Sequence, residues 1–91
     1  MPLKHPLKHP ITVGKKTLDT LTFRDYATAE DLLAFDQGGP TQQTINLIAN
    51  LTGTAPEIIG KLHVHDFRAC DAIATELIKP EDREEKNSDA S

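Results

Sequence analysis

The chain is poor in the residues that reactive or nucleic-acid sites are built from. It holds one cysteine, Cys70, and no tryptophan, and its only phenyl or phenol rings are Phe23, Tyr26, Phe35 and Phe67. A lone thiol cannot close an internal disulfide, which fits a reducing compartment. The few rings do not stand among basic residues, as a stacking platform for single-stranded nucleic acid requires. Cations are in deficit too: 10 Lys and Arg face 14 Asp and Glu, a formal charge of −4, whereas affinity for nucleic acid comes largely from cations that neutralise phosphates. Nothing approaches the roughly 18 consecutive apolar residues of a membrane helix, and the start, Met1-Pro2-Leu3-Lys4-His5-Pro6, lacks the apolar stretch of a secretory signal. These absences predict a cytoplasmic protein with neither nucleic acid nor membrane as partner. At 91 residues there is room for one domain. A domain this small spends most of its large apolar side chains on its own core, so a deep enzymatic cleft is not expected.

The polar residues add no reaction. His63 and His65 invite a metal, but two residues apart they share a face only on a strand, and no second cluster at a zinc spacing accompanies them. Their expected place is in solvent at the entrance to a helix, with His5 and His9 exposed in a proline repeat. Cys70 falls on an apolar stripe between Phe67 and Ala74 and reads as a core thiol. The carboxylates form no isolated pair in an apolar setting, and Gly38-Gly39 lacks the rest of a phosphate loop. No catalytic residue, cofactor or metal ligand is assigned.

The pattern of apolar residues predicts the fold. Lys4-His5-Pro6-Leu7 repeats as Lys8-His9-Pro10-Ile11, and each proline pushes its predecessor towards extended geometry, as a lead-in or an edge strand would want. Because proline cannot donate to a sheet ladder, the first strand is expected near Ile11 and Val13. Gly14-Lys15-Lys16 turns the chain into a second strand through Leu21 and Phe23. Leu18 is out of phase with these, so a bulge or a longer turn is expected near Asp19. Thr28 caps a short helix with acidic first-turn residues Glu30 and Asp31, stopped by Gly38-Gly39-Pro40. Thr41–Thr52 carries a broad apolar stripe (Ile45, Leu47, Ile48, Ala49, Leu51) suited to a central helix ended by Gly53. Another turn starts at Pro56, and a last helix is marked by Val64, Phe67, Cys70, Ala74, Leu77 and Ile78 up to Lys79-Pro80. The expected fold is α+β: an N-terminal β-hairpin packed on a small bundle of three to four short helices. Residues 1–9 form a flexible proline-containing lead-in, 10–79 a single domain, and 80–91 a disordered acidic tail.

The order of these segments resembles a known family. Leu18-Asp19-Thr20-Leu21-Thr22-Phe23-Arg24, Thr28-Ala29-Glu30-Asp31-Leu32, and above all Ile45-Asn46-Leu47-Ile48-Ala49-Asn50-Leu51-Thr52-Gly53 followed by Pro56-Glu57 and Asp66-Phe67 are similar to the E-type tail assembly chaperones of contractile-tailed phages and Mu-like prophages. The similarity spans about Pro10 to Leu77. His63 departs from it, standing where the family often places a better helix cap. The resemblance implies no catalysis. It implies binding to the tape measure protein in the host bacterial cytoplasm, keeping its apolar helical segments soluble during tail assembly, with a frameshifted longer form of the same protein as a further partner. A shallow apolar groove would accept a partner helix, and Leu33, Phe35, Ile59 and Leu62 are the residues expected at helix edges to line it. The alternatives are a structural tail or virion subunit, a small protein-interaction module without chaperone activity, and a metal-dependent regulator using His63 and His65.

Overall fold

A computed structural model describes residues 2–36 and 38–79. Strand β1 (Leu3–Val13) and strand β2 (Lys16–Phe23) form an antiparallel hairpin, followed by helices α1 (Ala29–Phe35), α2 (Pro40–Thr52), α3 (Pro56–Ile59) and α4 (Val64–Ile78). This is the expected α+β arrangement of a hairpin on four helices, one of them a single turn. The expectation for residues 80–91 lies outside the described residues.

The hairpin turn rests on Gly14, whose φ of 63° supplies the left-handed conformation that a two-residue loop needs to match the twist of its strands. Beyond it, β1 departs from expectation. It begins at Leu3 rather than near Ile11, so most of the expected lead-in is strand. Among the described residues the sheet has two strands, which leaves β1 one unpaired edge where a missing N–H is harmless. Pro6 sits opposite Thr20, while Pro10 falls in the stretch between Pro6 and Ile11 where the ladder is interrupted.

That interruption lies opposite Asp19, where the phase of Leu18 calls for one, but the extra residues belong to β1: Leu7, Lys8, His9 and Pro10 face Asp19 alone. The bulge has a packing consequence. It turns Leu7 into the core beside Leu21 and Phe23, although the residues around it on β1 are exposed or only half-buried.

Helix α2 is central, packing against α1, α3, α4 and β2. Its Leu47, Ile48, Ala49 and Leu51 meet Leu21 and Phe23 of the sheet, Ile59 of α3 and Cys70 and Ala74 of α4 in one core. Each large side chain fully buried there stabilises the fold by about 1.5–3 kcal/mol. Pro40 opens α2 at a position whose N–H would lack a helical partner in any case. Gly53 closes it at φ 66°, its N–H bonded to Ala49 O. A Cβ at Gly53 would meet nothing within 4 Å, so Gly53→Ala should cost only the left-handed backbone penalty of about 1–2 kcal/mol. A thermal melt should show this as a fall of about 4–16 °C, and an unchanged melt would mean that the cap is not made.

Candidate partner-binding site

Two buried aspartates fix the surfaces on either side of α2. Asp31, in the first turn of α1, is 1% exposed. Its Oδ1 accepts from Arg24 Nη2 and Asn50 Nδ2, both at 2.7 Å, and its Oδ2 accepts from the Thr28 N–H at 2.7 Å and Thr28 Oγ1 at 3.2 Å. The Thr28 N–H bond is the returning half of the capping box that Thr28 and an acidic third residue predict. The bonds to Arg24 and Asn50 tie α1 to the end of β2 and to α2. Burial pushes the Asp31 carboxyl up, but Arg24, the Thr28 N–H and Asn50 together outweigh it and hold the group at about 2.

Asp66, in the first turn of α4, is likewise 1% exposed. Its two oxygens accept the backbone N–H groups of Lys8 and His9 at 2.9 Å each, inside the β1 bulge. Burial raises this carboxyl, while the two N–H groups and the imidazoles of His9 and His5 lower it, with a net depression. His63 caps the same helix, its Nδ1 accepting from the His65 N–H at 3.2 Å, and the His9 ring stacks on it with centroids 3.9 Å apart. Histidine thus takes up the capping task for which it is a weak residue, and Asp66 locks the helix start from within. His63 and His65 are exposed at the helix entrance as expected. Among the described residues no group of three His, Cys, Asp or Glu is placed to hold a metal ion. Cys70 is fully buried, and burial together with the nearby Asp66 pushes its thiol to about 11, which makes it an inert core group.

With α4 held in this way, its first residue, Val64, stands half exposed at 50%. It forms the rim of a depression of about 150 Å³ lined by Thr41 and Ile45 of α2, Ile59 and Gly60, Leu62, Val64 and Phe67. Thr41 is the only polar side chain in that wall. A second depression of about 470 Å³, between α1, α2 and α3, is walled by Asn46, Asn50 and Thr54 as well as by Ala34, Ala49 and Pro56. The smaller one is below the roughly 300–1,000 Å³ of small-molecule pockets. It suits a single apolar anchor from another chain.

The four residues expected at a groove do not form one surface. Ile59 and Leu62 share the apolar depression, but Ile59 is 1% exposed and belongs to the core. Phe35 is half-buried against the core. Leu33, at 63% exposed, stands apart in a shallow recess with Glu30, Ala34 and Asn50. Of the other lining residues on the apolar stripes of α2 and α4, Ile45 and Phe67 pack against the core as their periodicity predicts, whereas Val64 is half exposed. Val64 is the first residue of α4, between His63 and His65, and has no preceding helical turn to lie over.

The family model of phage tail assembly chaperone proteins, E, or 41 or 14, matches residues 4–79. The chain belongs to this family. The match runs from β1 to the end of α4, so it takes in the hairpin, every helix and both buried aspartates. Neither the curated proteins nor the solved structures give a match. As a tail assembly chaperone the protein is not an enzyme, and its family implies that it binds tail proteins. No helix among the described residues is long and apolar enough to cross a membrane. The apolar depression lies between α2 and the start of α4, the helix whose first turn Asp66 ties to β1.

Proposed function

We propose that the chaperone binds the tape measure protein in the host bacterial cytoplasm and shields its apolar helical segments until the tail tube forms. The observation that carries this reading is the depression between α2 and α4, where Leu62, Val64 and Phe67 present apolar surface in a chain that belongs to a tail assembly chaperone family. A helix laying an apolar stripe in a groove anchors through residues at i, i+3 or i+4, and i+7. A dimple of this size takes one such anchor, with Leu62 and Val64 covering its neighbours. Binding that lowers the free concentration of a sticky chain restrains its aggregation by mass action.

Co-expression with the tape measure protein of the same phage tests the proposal. The tape measure protein should become soluble and co-purify with the wild-type chaperone. Val64→Glu, a change at an exposed site, should abolish both while leaving the chaperone's melt unchanged. Equal solubility of the tape measure protein with and without the chaperone would overturn the reading. Stoichiometric recovery of the chain from finished tails would instead identify a structural subunit.

A further inference from the structure

The apolar depression is not symmetrically charged, and this bears on what fills it. Its α2 wall comes from Pro40–Thr52, a helix without a single charged residue. Its other wall comes from the stretch between Gly60 and Arg68, whose exposed ionic side chains are Lys61 and Arg68. The one acid in that stretch, Asp66, is buried and taken up by the Lys8 and His9 N–H groups. Arg68 lies one helical turn after Val64 and so stands beside it on the same face of α4. Among the described residues, neither Lys61 nor Arg68 makes an ion pair. Acids flank the stretch at Glu57 and Asp71, and Asp71 is engaged one turn further along α4 by Thr75 Oγ1 at 3.2 Å. In a chain of net charge −4, two exposed cations thus adjoin in sequence the lining residues Gly60, Leu62 and Phe67.

We infer that the helix accepted by this depression carries acidic side chains beside its apolar stripe, placed to meet Lys61 and Arg68. The inference rests on the reading that the depression docks a helix of a tail protein, and it adds the charge pattern of that helix. Opposite charge at a rim steers encounter and fixes the register in which the stripe is laid down. The chain's own α1 carries Leu32 and Leu33 with Glu30 and Asp36, which makes a second copy the rival occupant. Helix α1 has only 7 residues, with Asp31 buried and Phe35 half-buried against the core. It is too short for an i to i+7 stripe.

Two synthetic amphipathic helical peptides with the same Leu/Ile stripe, one flanked by Glu and one by Lys, separate the outcomes when titrated into the full chain. The Glu peptide should bind about fivefold more tightly, as two exposed ion pairs would give. The gap should close at high salt, and the Lys61→Glu/Arg68→Glu double variant should reverse the preference. The amides of Val64 and Arg68 should shift in the NMR spectrum. Equal affinities, or tighter binding of the Lys peptide, would overturn the charge inference while leaving the groove intact. If neither peptide binds, the docking reading falls and this inference falls with it. Sedimentation velocity across a range of concentrations covers the rival: self-association abolished by Val64→Glu would place a second copy in the depression and overturn the inference.

Discussion

Asp66→Ala is expected to lower the melting temperature by on the order of 10–20 °C. The carboxylate is the acceptor for two adjacent backbone donors, the Lys8 and His9 N–H groups, each at 2.9 Å. Strand pairing gives the bulge residues between Pro6 and Ile11 no partner on β2, so these donors have no second acceptor in the ladder. A buried donor left unsatisfied costs about 1–3 kcal/mol. The side chains of Lys8 and His9 are exposed and their amides are only partly shielded, which puts the pair nearer the lower end, about 2–3 kcal/mol in total. For a domain of this size each kcal/mol moves the melt by about 4–8 °C. Asp66→Asn keeps one acceptor oxygen but turns an NH2 donor on the second N–H, so it should recover at most one of the two bonds. Amide hydrogen exchange separates this mechanism from general loosening: Lys8 and His9 should exchange far faster in Asp66→Ala, while the α2 amides keep their order of protection. Unchanged exchange at Lys8 and His9 would refute the latch. The functional consequence follows from position, because Asp66 anchors the helix whose first turn carries Val64. A chaperone that holds its fold but loses this anchor should also bind apolar helices less tightly.

The same residue shows where sequence reading stops. The periodicity of Val64, Phe67, Cys70, Ala74 and Leu77 places α4 correctly, because an apolar stripe is a local property of the chain. Asp66 falls between those positions and, within the segment, is one more acidic residue in a first turn. Its partners lie 58 and 57 residues away, and no local pattern announces them. The start of β1 at Leu3 escapes local pattern for the related reason that proline's lost N–H counts against a strand with two neighbours, whereas among the described residues β1 has one. The bulge was legible only as a phase error of Leu18 against Leu21 and Phe23, which tells that residues are inserted and not on which strand. At the apolar depression, helical spacing puts Ile59 and Leu62 near each other but does not tell that Ile59 is sealed in the core and Val64 is not. Burial at a helix start depends on what packs above it, and Val64 is left 50% exposed.

Removing the carboxylate at Asp31 should cost about 3 kcal/mol, through a different balance of forces. Here the partner is a cation, Arg24, with Asn50 and the Thr28 N–H completing the set. Breaking a buried ion pair by deleting one member costs about 3–5 kcal/mol because the other charge is stranded. The Arg24 side chain is 33% exposed and also donates to Asn50 O at 3.1 Å, so it recovers some hydration and the lower figure applies. Acid titration gives an independent measure. Asp31 is held at about 2 in the folded chain against 3.8 for the free group. Its contribution is therefore fully present above pH 3.8 and is lost as the pH falls towards 2, amounting to about 2 kcal/mol. Asp66, also depressed, acts in the same direction. Wild-type stability should thus fall between about pH 4 and pH 2, and Asp31→Asn should be weaker at neutral pH yet flatter across that interval. Parallel pH profiles for the two proteins would show that folding leaves the Asp31 pKa unshifted, and the network joining β2, α1 and α2 would then need another source of strength.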